Sequence, residues 1–125
     1  MIGYTTVGTN DLAKSAQFYD ALFSATDANR VMEEADYIVW GRPDSTSHFS
    51  IHIPADGNTA TVGNGVMIGL KTESPEQVER MYHKAIELGA KCEGKPGPRG
   101  GGMFYAAYFR DLDGNKLNFH CFPNS

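Results

Sequence analysis

The chain has too little positive charge to track a nucleic-acid backbone. Its 11 Lys and Arg stand against 15 Asp and Glu, a net charge of −4 at pH 7, and no basic stripe interrupts the mixture. Nucleic acid is therefore not an expected partner. The sequence also lacks any apolar run near the ~20 residues that a membrane-spanning helix needs, so no membrane partner is expected either. The opening Met1-Ile2-Gly3-Tyr4-Thr5-Thr6-Val7 has no charged segment ahead of an apolar one, so it reads as a strand and not as a signal peptide. Cysteine is scarce: Cys92 and Cys121 lie in different segments without metal-ligand spacing. With no export signal they read as free thiols of a cytoplasmic protein. What remains is 125 residues, 41% apolar and 21% charged, enough for one domain with a core of its own.

What is present is a repeat. Ile2 to Val7 is a β-type run. Asn10-Asp11 then offers a cap to a helix whose apolar face is Leu12, Ala16, Tyr19, Leu22 and Phe23, at helical spacing. Shifted by 63 residues, Val66 to Leu70 repeats the run, and Glu73-Ser74-Pro75-Glu76 repeats the helix start with proline in its first position. Val78, Met81, Tyr82, Ala85 and Ile86 form the second apolar face, and Gly89 marks its stop. The ends of the units also match: Ser50-Ile51-His52-Ile53-Pro54 resembles Asn118-Phe119-His120-Cys121-Phe122-Pro123, now at an offset of 68. The expected organisation is a single α+β domain over 1–125, built of two tandem βαβββ modules. Module one spans about 1–54, a linker about 55–65, and module two about 66–125.

Within module one, Ala28 to Met32, Tyr37 to Trp40 and His48 to Ile53 are the remaining strands. Within module two they are Ala90 to Glu93, Met103 to Arg110 and Lys116 to Phe122, the last two joined by the Asp-Gly turn of Asp111-Leu112-Asp113-Gly114-Asn115. Alternation along the final strand puts Leu117, Phe119 and Cys121 toward the helices and Asn118 and His120 on the other face. The same split assigns Phe49, Ile51 and Ile53 to the core, with Ser50 and His52 opposite. The segment Gly94-Lys95-Pro96-Gly97-Pro98-Arg99-Gly100-Gly101-Gly102 reads as an irregular loop. It is either an exposed hairpin connection or a lid whose Arg99 engages an anionic group. It is no phosphate loop, since no Gly-Lys-Ser/Thr and no helix follow it.

Asn10-Asp11-Leu12 with Phe18-Tyr19, and the run Tyr108-Phe109-Arg110-Asp111-Leu112-Asp113-Gly114-Asn115-Lys116-Leu117, resemble the vicinal oxygen chelate superfamily of glyoxalases, bleomycin-resistance proteins and extradiol dioxygenases. The resemblance spans essentially the whole chain. It implies paired βαβββ modules forming a curved mixed sheet around a cleft, and a homodimer. In metal-using members four inward positions hold the ion, usually as His and Glu. They fall here on Tyr4, Ser50, Met67 and Asn118, a set with neither carboxylate nor imidazole. No metal and no other cofactor is therefore expected. His52 and His120, two residues beyond the final-strand positions, are either a metal pair needing a third ligand, acid–base groups, or ordinary polar side chains.

Without a metal, Tyr4, Thr6, Ser50, Met67, Phe104, Asn118 and Arg99 are the candidate ligand-binding residues, suited to a small organic molecule with a flat or apolar part. Met67 reads first as core filler and second as a ligand contact, while Tyr4 and Tyr108 read equally as core aromatics. Three functions are compatible with this inventory. One is metal-free binding or sequestration of a small organic molecule, as in the bleomycin-resistance branch. Another is glyoxalase-like lyase or isomerase chemistry with His52, His120 or Tyr108 moving protons. The last is an accessory domain for another protein.

Overall fold

The structure, a computed structural model, describes residues 1–123. It divides into two compact units, Met1–Val62 and Gly63–Ser125. The first contains β1 (Tyr4–Gly8), α1 (Leu12–Phe23), β2 (Asn29–Glu33), β3 (Tyr37–Gly41) and β4 (His48–His52). The second contains β5 (Ile68–Lys71), α2 (Pro75–Glu87), β6 (Lys91–Arg99), β7 (Phe104–Arg110) and β8 (Lys116–Cys121). Each is a βαβββ module with one four-stranded mixed sheet, ordered β1-β4-β3-β2 and β5-β8-β7-β6. The α+β class and the tandem modules are thus those expected from the repeat.

The two offsets are visible in the hydrogen bonding. In the parallel pair β1–β4, Thr6 faces Ser50 and Gly8 faces His52. In β5–β8, Gly69 faces Asn118 and Lys71 faces His120. First strands are therefore related by 63 residues and last strands by 68. The same steps connect the helix starts: Asp11 Oδ1 accepts from the Lys14 N–H at 3.1 Å, and Ser74 Oγ accepts from the Gln77 N–H at 3.1 Å. Each is an N-cap that satisfies an otherwise orphaned amide. They also connect Thr9, whose N–H donates to the His52 carbonyl at 3.0 Å, with Thr72, whose N–H donates to that of His120 at 2.8 Å. Asp11 alone caps α1. Asn10 instead holds the following segment, its amide oxygen accepting from Ala60 N–H at 2.7 Å.

Each sheet buries one face under its own helix. In the first unit Tyr19, Leu22 and Phe23 meet Trp40, Phe49 and Ile51, all buried. The rings of Tyr19 and Phe49 lie 4.8 Å apart. Such aromatic pairs contribute ~0.5–1.5 kcal/mol beyond the area they bury. Asp20 closes the edge of this core: it accepts from Trp40 Nε1–H at 3.0 Å and from Arg30 Nε–H at 2.9 Å. The Arg30 guanidinium holds the Asp20 carboxyl below its ordinary value of 3.8, against a smaller opposing effect of burial. In the second unit Val78, Met81, Tyr82 and Ala85 cover Ala107, Phe109, Leu117 and Phe119, with Phe109 stacked on Phe119 at 5.0 Å.

Four expectations are corrected. The first strand begins at Tyr4, not Ile2, because only from Tyr4 onward does it pair with β4. Met67 precedes β5 and is 41% exposed, so it is not core filler. Ile53 lies beyond the end of β4 and is 38% exposed, leaving its N–H to bond the Asp36 carbonyl at 2.8 Å. The largest difference is at Gly94–Arg99, which is not a loop but the second half of β6, with Gly97, Pro98 and Arg99 paired to Ala106, Tyr105 and Phe104. An edge strand loses little by including proline, since its outer N–H positions make no ladder bond. Two register shifts, between Cys92 and Gly94 and between Gly94 and Gly97, absorb the irregular residues. The connection to β7 shrinks to Gly100–Gly102, where all three glycines have positive φ and no side-chain-bearing residue would replace them without strain.

Candidate functional site

The chemistry-bearing residues lie on the face of each sheet that carries no helix. In the first unit this face holds Tyr4, Thr6, Ser50 and His52, with Tyr37 opposite His52. Tyr4 and Thr6 are exposed. Ser50 is buried and its hydroxyl donates to the Thr5 carbonyl at 2.9 Å, so it is committed to the backbone. His52 stacks on the Tyr37 ring at 5.4 Å, with an interplanar angle of 16°. Its Nδ1 bonds the Ile53 carbonyl, and Nε2 stands 3.9 Å from Asp36. Both nitrogens of His52 thus have protein neighbours.

In the second unit the helix-free face is built on β7 and β8, where Tyr108 is opposite Asn118 and Ala106 is opposite His120. Phe104 shares the face and meets Phe122, ring centroids 5.7 Å apart. His120 Nδ1 lies 3.0 Å from the Asn118 amide oxygen. Since that oxygen only accepts, Nδ1 carries the proton and Nε2 keeps its lone pair. Burial, and next the nearby Lys71 ammonium, push the His120 imidazole below its ordinary 6.5. The ring is therefore neutral at pH 7, a hydrogen-bond acceptor and candidate base at Nε2.

This pKa shift has a measurable sign. Because the folded value is the lower one, the stabilisation from neutral His120 is complete above 6.5 and is lost as pH falls through the folded value. In an NMR titration His120 should show a midpoint below 6.5, and Lys71→Gln should raise it only part of the way, since burial is the larger cause. A midpoint at or above the ordinary value contradicts this account.

Arg99 closes the far side of the face. Its guanidinium lies 5.4 Å from the Tyr108 ring centroid, and the Lys116 ammonium lies 5.6 Å from the same centroid. Tyr108, Phe104, Asn118, His120 and Arg99 are thus grouped on one sheet, and Tyr4, Thr6, Ser50 and His52 on the other; Met67 stands just outside β5. Lys116 and Lys71 were not among the residues expected from the sequence. The signal for Lys116 was the two-residue period that it shares with Asn118 and His120. A shallow depression on α2, lined by Glu76, Glu79, Arg80, His83, Lys84 and Glu87, is a run of charged helix side chains on a different surface.

A family model, that of the Glyoxalase/Bleomycin resistance protein/Dioxygenase superfamily, matches residues 1–119. The chain belongs to this superfamily. Among solved structures, a glyoxalase/bleomycin resistance protein from Albidiferax ferrireducens T118 is 35% identical, with a TM-score of 0.89 over 98% of this chain and 99% of that one. A hypothetical protein from S. aureus is 26% identical, with a TM-score of 0.75 over 97% and 92%. A lactoylglutathione lyase from Agrobacterium tumefaciens, 16% identical with a TM-score of 0.72 over 97% and 92%, shares the fold. No curated protein matches the sequence.

The superfamily's usual ion does not fit the residues at its four positions. Tyr4 is 69% exposed and offers only a phenol hydroxyl. The Ser50 hydroxyl is spent on a carbonyl, Met67 offers a thioether, and the Asn118 oxygen is taken by His120. Divalent ions of this kind need anionic oxygen, imidazole or thiolate. Among the described residues no three His, Cys, Asp or Glu gather closely enough to replace them. No helix among the described residues is long and apolar enough to cross a membrane.

Proposed function

We propose that this superfamily member binds a small organic molecule on the helix-free face of its second unit, without a resident metal. The observation that carries this reading is the donor set. The positions used for metal elsewhere hold groups already engaged or unsuited, while the neighbouring strands present Tyr108, Phe104, His120 Nε2 and cationic side chains on one face. Such a mixture of flat apolar surface and few polar anchors is what recognition of a small molecule requires.

The test combines metal analysis with a melting-temperature screen of aromatic acids, glycopeptide drugs and glutathione conjugates. The purified protein should hold no stoichiometric transition metal, and at least one compound class should raise the melting temperature. Stoichiometric zinc, nickel, iron or manganese would overturn the metal-free reading, and an unresponsive screen would overturn binding. Turnover of a glutathione hemithioacetal that disappears in His120→Gln would replace binding by a lyase or isomerase function with His120 as the base.

A further inference from the structure

The helix-free faces of the two sheets differ in charge. Strands β1, β3 and β4 place no Lys or Arg on that face in the first unit. In the second unit their counterparts β5, β8 and β7 carry Lys71, Lys116 and Arg110, and the edge strand β6 adds Arg99, whereas Arg30 of the edge strand β2 turns to Asp20 of α1. This is a local reversal in a protein of net charge −4. Arg110 is committed, its Nε pairing with Glu93. Lys71, Arg99 and Lys116 have no carboxylate within ion-pair distance among the described residues.

Arg99 is held in place by its own strand. Its Nη2 donates to the Lys95 carbonyl at 2.6 Å and its Nη1 to the Pro98 carbonyl at 3.1 Å. The side chain therefore folds back along β6. It has room to do so because the residues beneath it are glycines: a Cβ at Gly97 would stand 3.1 Å from Nη1, and one at Gly94 would stand 3.4 Å from Nη2 and 3.0 Å from the Tyr108 ring. The glycine-rich composition of β6 is thus a trough for a guanidinium. The ordering entropy of a long side chain is met on folding, not on binding. Of the five N–H donors of a guanidinium, two are used in these bonds and the rest are free for a ligand.

Lys116 approaches the same Tyr108 ring. Tyr108 stands on the strand between β6 and β8, so Arg99 reaches its ring from one side and Lys116 from the other. An anionic group beside the ring gains the guanidinium fork of Arg99 and the longer-range attraction of the Lys116 ammonium. We propose that the ligand of this face is a planar, mainly apolar carboxylate. Its anionic group meets the Arg99 guanidinium on the β6 side of Tyr108, and its flat part lies along Tyr108 toward Phe104, which is paired with Arg99. This inference rests on the binding function proposed above and adds the chemical class of the ligand. A phosphoryl group is less suited, since it offers no flat apolar part to Tyr108 and Phe104.

The probes are 1-naphthoate and its neutral isostere 1-naphthamide, titrated into the full chain at low ionic strength and followed by calorimetry and by NMR shifts of Tyr108. Naphthoate should bind at least about tenfold more tightly, as one charge-assisted contact provides. That preference should collapse in Arg99→Gln and shrink in Lys116→Gln. It should also fall in Gly97→Ala, where Arg99 remains but its trough is filled; Gly97 is not among the positive-φ glycines, so alanine is tolerated by the backbone. Equal binding of the two probes would overturn the anion assignment and leave the binding function standing. Failure of both probes to perturb Tyr108 would overturn this ligand class, while binding itself stands or falls with the melting-temperature screen. Inorganic phosphate competing as well as naphthoate would overturn the planar part of the assignment.

Discussion

Phe119→Ala should remove about 3–5 kcal/mol of stability, the usual cost of truncating a buried phenylalanine. Phe119 is 1% exposed in the middle of β8 and stacks on Phe109, which is fully buried. The substitution therefore removes an aromatic contact as well as side-chain volume, and the cavity is walled by α2 and β7, which cannot both close on it. Small domains have only ~5–15 kcal/mol in total, so the urea midpoint should fall by a third or more. Phe122, three residues on, just past the end of β8 and 49% exposed, supplies the control. Its alanine variant should lose no more than about 1 kcal/mol. Comparable losses from the two variants would show that β8 does not divide its faces as described.

Ile51 occupies the same place in the first unit, 68 residues earlier, and is fully buried. The equivalence was readable in the sequence because both the apolar alternation and the capped helix starts recur at fixed offsets, and strand pairing preserves such offsets. For the same reason the assignment of Asn118, His120 and Tyr108 to one face followed from period-two counting alone. The Gly94–Arg99 segment failed for a physical reason. Proline and glycine usually interrupt strands, and their composition outweighed any pattern there. What makes them acceptable is that β6 lies at the sheet edge and bulges twice, neither of which a local reading of composition reveals. Arg99 was named as a candidate, but that misreading left it without a fixed place. On a loop its guanidinium has no defined position, whereas on an edge strand with Gly94 and Gly97 beneath it the position is set. The commitments of Ser50 and Asn118 were equally invisible, because each depends on a partner's orientation: the Thr5 carbonyl for Ser50, and the His120 ring for Asn118.

Asp111→Ala should cost about 3 kcal/mol, although Asp111 is not itself one of the candidate ligand residues. Its carboxylate is 5% exposed. Oδ1 accepts from the N–H groups of Asp113 and Asn115, each at 2.9 Å, while Oδ2 accepts from Asn115 Nδ2 at 3.0 Å. Asn115 is itself buried, so removing the acceptor from its donors incurs a desolvation cost of ~1–3 kcal/mol for each one left unmet. The melting temperature should drop by roughly 10 °C. Asp111→Asn, which keeps one carbonyl oxygen in place, should lose about half as much. A drop of under ~2 °C for the alanine variant would contradict this role. The consequence for function follows from register. The turn closed by Asp111 sets β7 against β8, with Tyr108 opposite Asn118, and Gly114 completes it at a φ of 89°. A slip of one residue would exchange the faces of one strand, turning Asn118 and His120 toward α2 and Leu117 and Phe119 away from it. Burying those polar groups and exposing the core makes the slipped state costly. Loosening the turn therefore weakens the site through order and not through contact: naphthoate affinity should fall in Asp111→Ala as temperature approaches the lowered transition, and recover on cooling.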